Sequence, residues 1–214
     1  MLTRGAVRTV GVCTRYCTRY SSSATDEPEF EEYPSDKYKR SEDMIQRFLR
    51  VDHAGEVGAN DIYAGQMAVL GRTKEAPLIQ HMWDQEKEHK SKMNELLVEH
   101  RVRPTVLLPF WRAAGFALGA GTALIGKEGA MACTVAVEDT IVTHYTDQIR
   151  EIIDQGKEEE YQDLLKIIKK FRDDELEHHD TGIEHGAELA PQYKLLTKVI
   201  KLGCQTAIKV AERV

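Results

Sequence analysis

Two acidic motifs recur in the same order along this chain. Residues 84–89 read DQEKEH and residues 173–178 read DDELEH, so Asp, Glu, Glu and His keep their offsets. Upstream of them, the segments EVGANDIYAGQ from Glu56 and EDTIVTHYTDQ from Glu138 share a Glu-x6-Tyr-x2-Gln pattern. Charge runs on helices are usually solvent-exposed. A solvated face, however, has no reason to duplicate two unrelated motifs in one order, so the repeat indicates inward-facing side chains.

The spacing of the second motif is that of two metal ligands on one helical face. Residues three apart on a helix project from the same side, so a Glu-x-x-His pair can hold one ion. One Glu from each of two helices and a Glu-x-x-His from each of two others form the ligand set of a dimetal centre in a four-helix bundle. The predicted ligands, which are also the predicted catalytic centre, are Glu56, Glu86, His89, Glu138, Glu175 and His178.

The donor types restrict the metal and its chemistry. Carboxylate and imidazole ligands suit iron or manganese, whereas a structural zinc site usually has four closed ligands that include thiolates. Four buried carboxylates would be costly without compensation, and two divalent ions supply the opposite charge. Six protein ligands for two metals leave coordination positions open, which indicates oxygen chemistry.

The repeat gives weaker evidence for a metal-binding role of the nearby polar residues. Lys90 stands where His179 does, and Val135 stands where His53 does, so neither histidine is predicted to bind metal. We expect surface or ion-paired positions for Glu88 and Glu177. For Tyr63 and Tyr145, the sequence does not decide between packing in the bundle and a supporting role at the site. The remaining histidines are expected to be structural or exposed: His81, His100, His144 and His185.

Apolar residues at helical spacing predict an all-α protein, since β-hairpin dipeptides and sustained alternation are missing from the sequence. Helices are expected at about 41–70 with Ser41 as N-cap, 73–102, 127–155, 157–189 and from Pro191 onward. The 214 residues suffice for one cored domain, placed at 41–214. The formal net charge of −6 argues against nucleic acid as a partner.

Two segments suggest contact with a membrane surface. The apolar stretch 105–126 has only 14 uncharged residues between Arg112 and Lys127, fewer than the roughly 20 needed to span a bilayer. It is expected either to insert at the interface or to form a buried connecting helix in which Gly115 and Gly119 allow close packing. The segment 191–212 is predicted to be a basic amphipathic helix, which suits either an anionic membrane surface or an outer helix of a bundle. Its lysines are Lys194, Lys198, Lys201 and Lys209, opposite Leu195, Leu196, Val199, Ile200 and Val210.

The first 25 residues are typical of a mitochondrial presequence. They contain four arginines, many hydroxyl residues and no acidic residue. Residues 26–40 are polar and contain prolines, which indicates a linker.

Several long segments resemble the demethoxyubiquinone hydroxylase family of ubiquinone biosynthesis. They are RVDHAGEVGANDIYAGQMAVLGRT, RVRPT, GFALGAGTALIGKEGAMACTVAVE and KKFRDDELEHHD, within a resemblance that covers about residues 44–213. The resemblance implies a ferritin-like bundle and two iron ions, with the family's iron ligands at the six positions predicted above. It also implies a monooxygenase that uses O2 to hydroxylate the ring of a polyprenyl methoxy-methyl-benzoquinol, with NADH as reductant.

The same resemblance implies a peripheral position on the matrix side of the mitochondrial inner membrane. Expected partners are a lipid-binding protein that presents the substrate and the multi-subunit quinone-synthesis complex. Two alternatives remain at this point. One is iron handling of the ferritin or rubrerythrin kind, and the other is a non-catalytic scaffold of the quinone-synthesis complex.

Overall fold

A computed structural model describes residues 42–214, and every regular element in that range is helical. The helices are α1 (Asp43–Leu70), α2 (Ala76–Glu99), α3 (Leu108–Ala123), α4 (Lys127–Asp154), α5 (Gln162–Glu184) and α6 (Tyr193–Ala211), with a 3-10 turn at Ala187–Leu189. The predicted all-α class is confirmed. The predicted presequence (1–25), the linker (26–40) and the N-cap Ser41 lie outside the described residues.

Four long helices, α1, α2, α4 and α5, form an antiparallel bundle with an apolar core at each end. The N-terminal half of α1 packs with the C-terminal half of α2, and the core there includes Ile45, Met93, Ile152 and Ile168. The core at the other end contains α2 residues such as Ile79 and α4 residues such as Met131. The predicted ligands lie between these two cores, so apolar packing holds both ends of every helix that carries one.

Helix α3 packs closely against α1 at two glycines. Such packing was expected for a buried connecting helix, which was one of the two alternatives for segment 105–126. A Cβ atom on Gly115 would stand 2.7 Å from the Gly58 carbonyl oxygen, and one on Gly119 would overlap the Ile62 carbonyl. The opposite face of α3 is nevertheless open, because Phe110 is 60% exposed. The helix is therefore buried on one side and presents apolar side chains on the other.

Helix α6 divides the apolar residues that we expected on one face. Leu196 and Ile200 pack against α4, whereas Leu195 and Val199 are each 60% exposed. One edge of the apolar cluster therefore covers the bundle, as expected for an outer helix, and the other edge is left exposed. Lys201 pairs with Asp139 of α4 at 2.6 Å.

The single helix predicted at 157–189 is also shorter than expected. Helix α5 begins at Gln162 and ends at Glu184, and Gly186 adopts a left-handed conformation with φ 88°. A left-handed residue ends an α-helix, and glycine adopts that conformation without a Cβ penalty. Within residues 42–214, we find no helix with the length and apolar character needed to cross a membrane.

Candidate metal centre and its pocket

The bundle brings together all six predicted ligand side chains at its centre. Helix α1 contributes one glutamate, α4 contributes another, and α2 and α5 each contribute a Glu-x-x-His pair. None is more than 2% exposed: Glu56, Glu86, His89, Glu138, Glu175 and His178. These side chains face one another because the three-residue spacing in α2 and α5 places both members of each pair on the inward stripe.

The ligand atoms form two overlapping groups. One group is Glu56, Glu86, His89 and Glu175, and the other is Glu86, Glu138, Glu175 and His178, with the ligand atoms of each group within 4.8 Å of one another. Glu86 and Glu175 belong to both groups. This arrangement fits two cations that share two bridging carboxylates, one from each Glu-x-x-His motif.

Both histidines turn Nδ1 toward the carboxylates. Nδ1 of His89 lies 3.0 Å from Glu175, and Nδ1 of His178 lies 3.2 Å from both Glu86 and Glu175. The Nε2 atoms face away and are 3.0 Å from Asp174 Oδ2 and from the side-chain oxygen of Gln85, respectively. Donation from Nε2 to an acceptor leaves the Nδ1 lone pair for a metal and fixes the ring orientation.

Two tyrosines connect α1 and α4 in a reciprocal way. The hydroxyl of Tyr63 on α1 donates to Glu138 Oε1 at 3.2 Å, and that of Tyr145 on α4 donates to Glu56 Oε1 at 2.5 Å. The supporting role that the sequence left open for these tyrosines therefore has a structural basis. Each phenol orients one of the two glutamates that come from helices without a Glu-x-x-His motif.

The pKa values of the carboxyl groups indicate that the cluster would be stabilised by added positive charge. Burial, followed by the proximity of Glu175, raises the pKa of Glu56 to about 8 and those of Glu86 and Glu138 well above the usual value. Burial also acts on Glu175, but hydrogen bonds from His178 and His89 outweigh it and lower that pKa to about 2. Without cations, the cluster compensates for its charge by retaining protons.

Several carboxylate oxygens accept no hydrogen bond from the described residues. They are Glu56 Oε2, both side-chain oxygens of Glu86, and Glu138 Oε2. Unpaired buried oxygens are costly. A pair of divalent cations would bind these oxygens. It would also balance the charge of the cluster, since four carboxylates face two imidazoles.

The polar neighbours occupy the positions expected from the repeat, with two exceptions. Glu88 and Glu177 are exposed, and His179 contacts Asp180 at the edge. Asp174 and Gln85, however, support the two histidines, which the sequence analysis did not predict. Each directly precedes a predicted ligand, Glu175 and Glu86, and that adjacency was the available signal.

The other histidines have ordinary surroundings or lie beside a pocket. His53 bonds Asn94 at 3.1 Å, His185 faces the Thr181 carbonyl, and His81 is exposed. His144 is different, since its Nε2 atom lies 3.2 Å from Asp52.

A pocket of about 410 Å³ lies beside the metal cluster, between α1, α3, α4 and α6. Its walls are mainly aliphatic and small side chains, and Glu56 and Tyr145 are part of them. On its rim, Ala114 of α3 and Val199 of α6 are exposed. An apolar ligand can therefore approach the cluster from the face that carries the exposed residues of α3 and α6.

Comparison with known proteins places this architecture in a family. A human protein named NADPH-dependent 3-demethoxyubiquinone 3-hydroxylase, mitochondrial, is 64% identical over 169 residues, which cover 79% of this chain and 77% of that protein. A Dictyostelium discoideum protein of the same name is 50% identical over 211 residues, 97% of this chain and 95% of that protein. The 5-demethoxyubiquinone hydroxylase, mitochondrial, of Saccharomyces cerevisiae is 46% identical over 183 residues, 80% and 78% of the two chains.

The family model described as ubiquinone biosynthesis protein COQ7 matches residues 43–211, a range that contains all six helices and every residue of the metal cluster. This chain therefore belongs to the COQ7 family of ubiquinone biosynthesis proteins.

Proposed function

We propose that this protein is a demethoxyubiquinone hydroxylase of ubiquinone biosynthesis. It hydroxylates the ring of a polyprenyl methoxy-methyl-benzoquinol with O2. The observation that carries the proposal is the apolar pocket whose wall includes Glu56 and Tyr145, because a hydrophobic substrate bound there would lie beside the buried carboxylate–histidine cluster. The human and yeast relatives are named demethoxyubiquinone hydroxylases, which supports the proposal.

The cluster is proposed to hold two iron ions. Glu56 and His89 would hold one ion, Glu138 and His178 would hold the other, and Glu86 and Glu175, which belong to both ligand groups, would contribute to both. Oxygen and imidazole donors suit iron. When bound, the iron pair supplies the electrons and coordination positions for O2 reduction. The protein contributes the orientation of the ligands, through Tyr63, Tyr145, Asp174 and Gln85, and a pocket wall that excludes water.

The substrate is proposed to enter from a membrane surface. The exposed apolar side chains on α3 and α6 include Phe110, Phe116, Leu195, Val199 and Leu202. Lys194, Lys198 and Lys209 on α6 are suited to anionic headgroups. Interfacial binding of this face aligns the pocket rim with the bilayer, where a quinol with an isoprenoid tail resides.

The cellular setting follows from the same proposal. The relatives' names place them in mitochondria, and we place this protein peripherally on the matrix side of the inner membrane. Its proposed partners are a lipid-binding protein that presents the quinol and the multi-subunit quinone-synthesis complex. The reductant is a reduced nicotinamide. The family resemblance implies NADH, whereas the human and Dictyostelium discoideum relatives are named for NADPH.

The decisive experiment is reconstitution. Iron-loaded protein in phospholipid vesicles is supplied with the demethoxyquinol, O2 and either NADH or NADPH, and the hydroxylated product is quantified by mass spectrometry. We expect one ring oxygen derived from ¹⁸O2. Release or uptake of iron without ring hydroxylation would favour an iron-handling protein. Absence of turnover with either nucleotide and with a chemical reductant would favour a scaffold.

A further inference from the structure

The residue that directly precedes the glutamate of each Glu-x-x-His motif lies beside the histidine of the other motif. In α5 this residue is Asp174, whose Oδ2 atom is 3.0 Å from Nε2 of His89. In α2 it is Gln85, whose Oε1 atom is 3.0 Å from Nε2 of His178. The two residues occupy the same place in DDELEH and DQEKEH. The repeat therefore preserves the position but not the chemistry, because one imidazole faces a carboxylate and the other faces a neutral amide.

This difference makes the two histidines unequal as metal donors. A carboxylate that accepts the Nε2 proton of an imidazole raises the basicity of the opposite nitrogen, and losing such a partner costs about 10- to 100-fold in metal affinity. Lys170, one turn before Asp174, holds the carboxylate in place, with Nζ 2.5 Å from Oδ2. The equivalent position before Gln85 is the exposed His81. His89 is therefore the better supported donor.

Ring contacts also differ between the two histidines. The Phe171 ring stacks on the His89 imidazole, with centroids 4.0 Å apart and an interplanar angle of 27°. The aromatic neighbour of His178 is Tyr63, which meets it edge-on with centroids 6.1 Å apart. A stacked ring restricts rotation of the imidazole more than an edge contact at the longer distance does. His89 is therefore also the more firmly oriented ligand.

The two single glutamates show the same inequality. Glu56, which belongs to the ligand group of His89, accepts the 2.5 Å hydrogen bond from Tyr145. Glu138, in the other group, accepts the longer 3.2 Å bond from Tyr63. The carboxylate partner, the stacked ring and the shorter tyrosine bond thus all support one of the two ligand groups.

We propose that the two cation positions fill in a fixed order, first the position of Glu56 and His89 and then that of Glu138 and His178, and that Asp174 is the positioning residue that sets this order. We call them the His89 position and the His178 position. The inference rests on the two-cation cluster of the proposed function and specifies how that cluster is loaded. A chain with one cation holds it at the His89 position, so ring hydroxylation is expected only as the second equivalent binds.

The test observes the two imidazoles directly. Two cations repel each other, so a weaker second binding step does not by itself show which position fills first. The metal-free full chain, labelled with ¹⁵N in its histidines, is titrated with Zn²⁺, which accepts imidazole and carboxylate ligands. NMR spectra report coordination of each Nδ1 atom, and His89→Gln and His178→Gln assign the signals. We expect the His89 signal to convert during the first equivalent and the His178 signal during the second.

An isosteric exchange of charge tests the role of Asp174. The double variant Asp174→Asn with Gln85→Glu moves the carboxylate from His89 to His178, and both side chains are only half-buried, so the apolar cores stay intact. We expect the order of conversion to reverse. Asp174→Asn alone should weaken the first step about tenfold in a chelator competition assay. Asp173→Asn, which neutralises the adjacent exposed carboxylate, should retain the order of the wild type.

The outcomes separate this inference from the proposed function. Simultaneous conversion of both signals in the wild type, or conversion of His178 first, overturns the inference. The wild-type order in the charge-exchange variant overturns the role of Asp174. Uptake of no more than one Zn²⁺ per chain overturns the two-cation cluster itself. Ordered uptake of two Zn²⁺ by a protein that, loaded with iron, does not hydroxylate the quinol supports the inference and overturns the proposed reaction.

Discussion

The phenol of Tyr145 on α4 donates a 2.5 Å hydrogen bond to Glu56 on α1, and Tyr63 on α1 donates one to Glu138 on α4. Each of these two helices thus supplies the tyrosine that orients the glutamate of the other helix. The exchange explains why Tyr follows Glu at the same distance in both copies of the first motif. Each tyrosine lies two helical turns along the inward face from its own glutamate and reaches the glutamate of the opposite helix.

Tyr145→Phe is expected to weaken metal binding about tenfold, because Glu56 loses the donor that orients it while the ring volume is preserved. Metal affinity is measured by competition with a chelator of known strength. Tyr63→Phe is the matched change at Glu138, where the longer 3.2 Å contact predicts a smaller loss. Unchanged affinity in both variants would show that the tyrosines only fill space.

Asp174→Asn is expected to lower metal affinity about tenfold by removing the negative charge behind the His89 imidazole. Asp173→Asn is its control, since that carboxylate is exposed and pairs with Arg172 at the surface. Both affinities are determined by the same competition assay. Equal losses in the two variants would attribute the effect to overall charge and contradict a specific role for Asp174.

Metal-free protein is expected to lose stability as the pH rises from about 4.5 to about 8. Burial raises the pKa of Glu56 from 4.5 to about 8, so the folded state binds a proton that the unfolded state releases within this window. His89, with a pKa raised to about 10 by Glu175 and Glu56 against the effect of burial, acts in the same direction up to higher pH.

Metal ions replace these protons and should remove the dependence. Thermal unfolding is followed at several pH values with and without ferrous or manganous ion. The metal-induced rise in Tm should be larger at pH 8 than at pH 6. A metal-induced shift that is constant across this range would contradict the charge balance inferred for the cluster.

Gly119→Ala is expected to destabilise the fold by about 1–3 kcal/mol, because its methyl group would overlap the Ile62 carbonyl where α3 crosses α1. Gly121→Ala is the control on the same helix, since a Cβ there meets nothing within 4 Å, and alanine favours helix by up to about 1 kcal/mol. Urea unfolding gives both free energies. Equal effects would mean that α3 is not held by close backbone contact.

Phe110→Ser combined with Leu195→Ser is expected to reduce binding to anionic phospholipid vesicles severalfold, since each exposed side chain contributes its transfer free energy to the bilayer. Val98→Ser is the control, because that residue is 79% exposed at the end of α2. Vesicle co-sedimentation measures the bound fraction. Equal binding of the double variant and the control would place the membrane contact elsewhere.

The sequence by itself determined the helical class and the six inward side chains of the cluster. Helical spacing is a local property, and a duplicated pattern distinguishes Glu175 and His178 from their charged neighbours without any knowledge of packing. Local rules were insufficient for α6, where Leu195 and Ile200 share an apolar character but lie on different faces. They also could not locate the end of α5, which depends on the left-handed conformation of Gly186.

Only the tertiary structure decided which groups meet across helices. Asp174 lies beside His89 although 85 residues separate them, and Asp52, His144 and Gln148 converge although they come from two helices. The sharing of Glu86 and Glu175 between the two ligand groups is likewise a matter of distance between helices. Periodicity fixes the face on which a side chain lies, whereas its partner depends on the rotation and depth of the neighbouring helix.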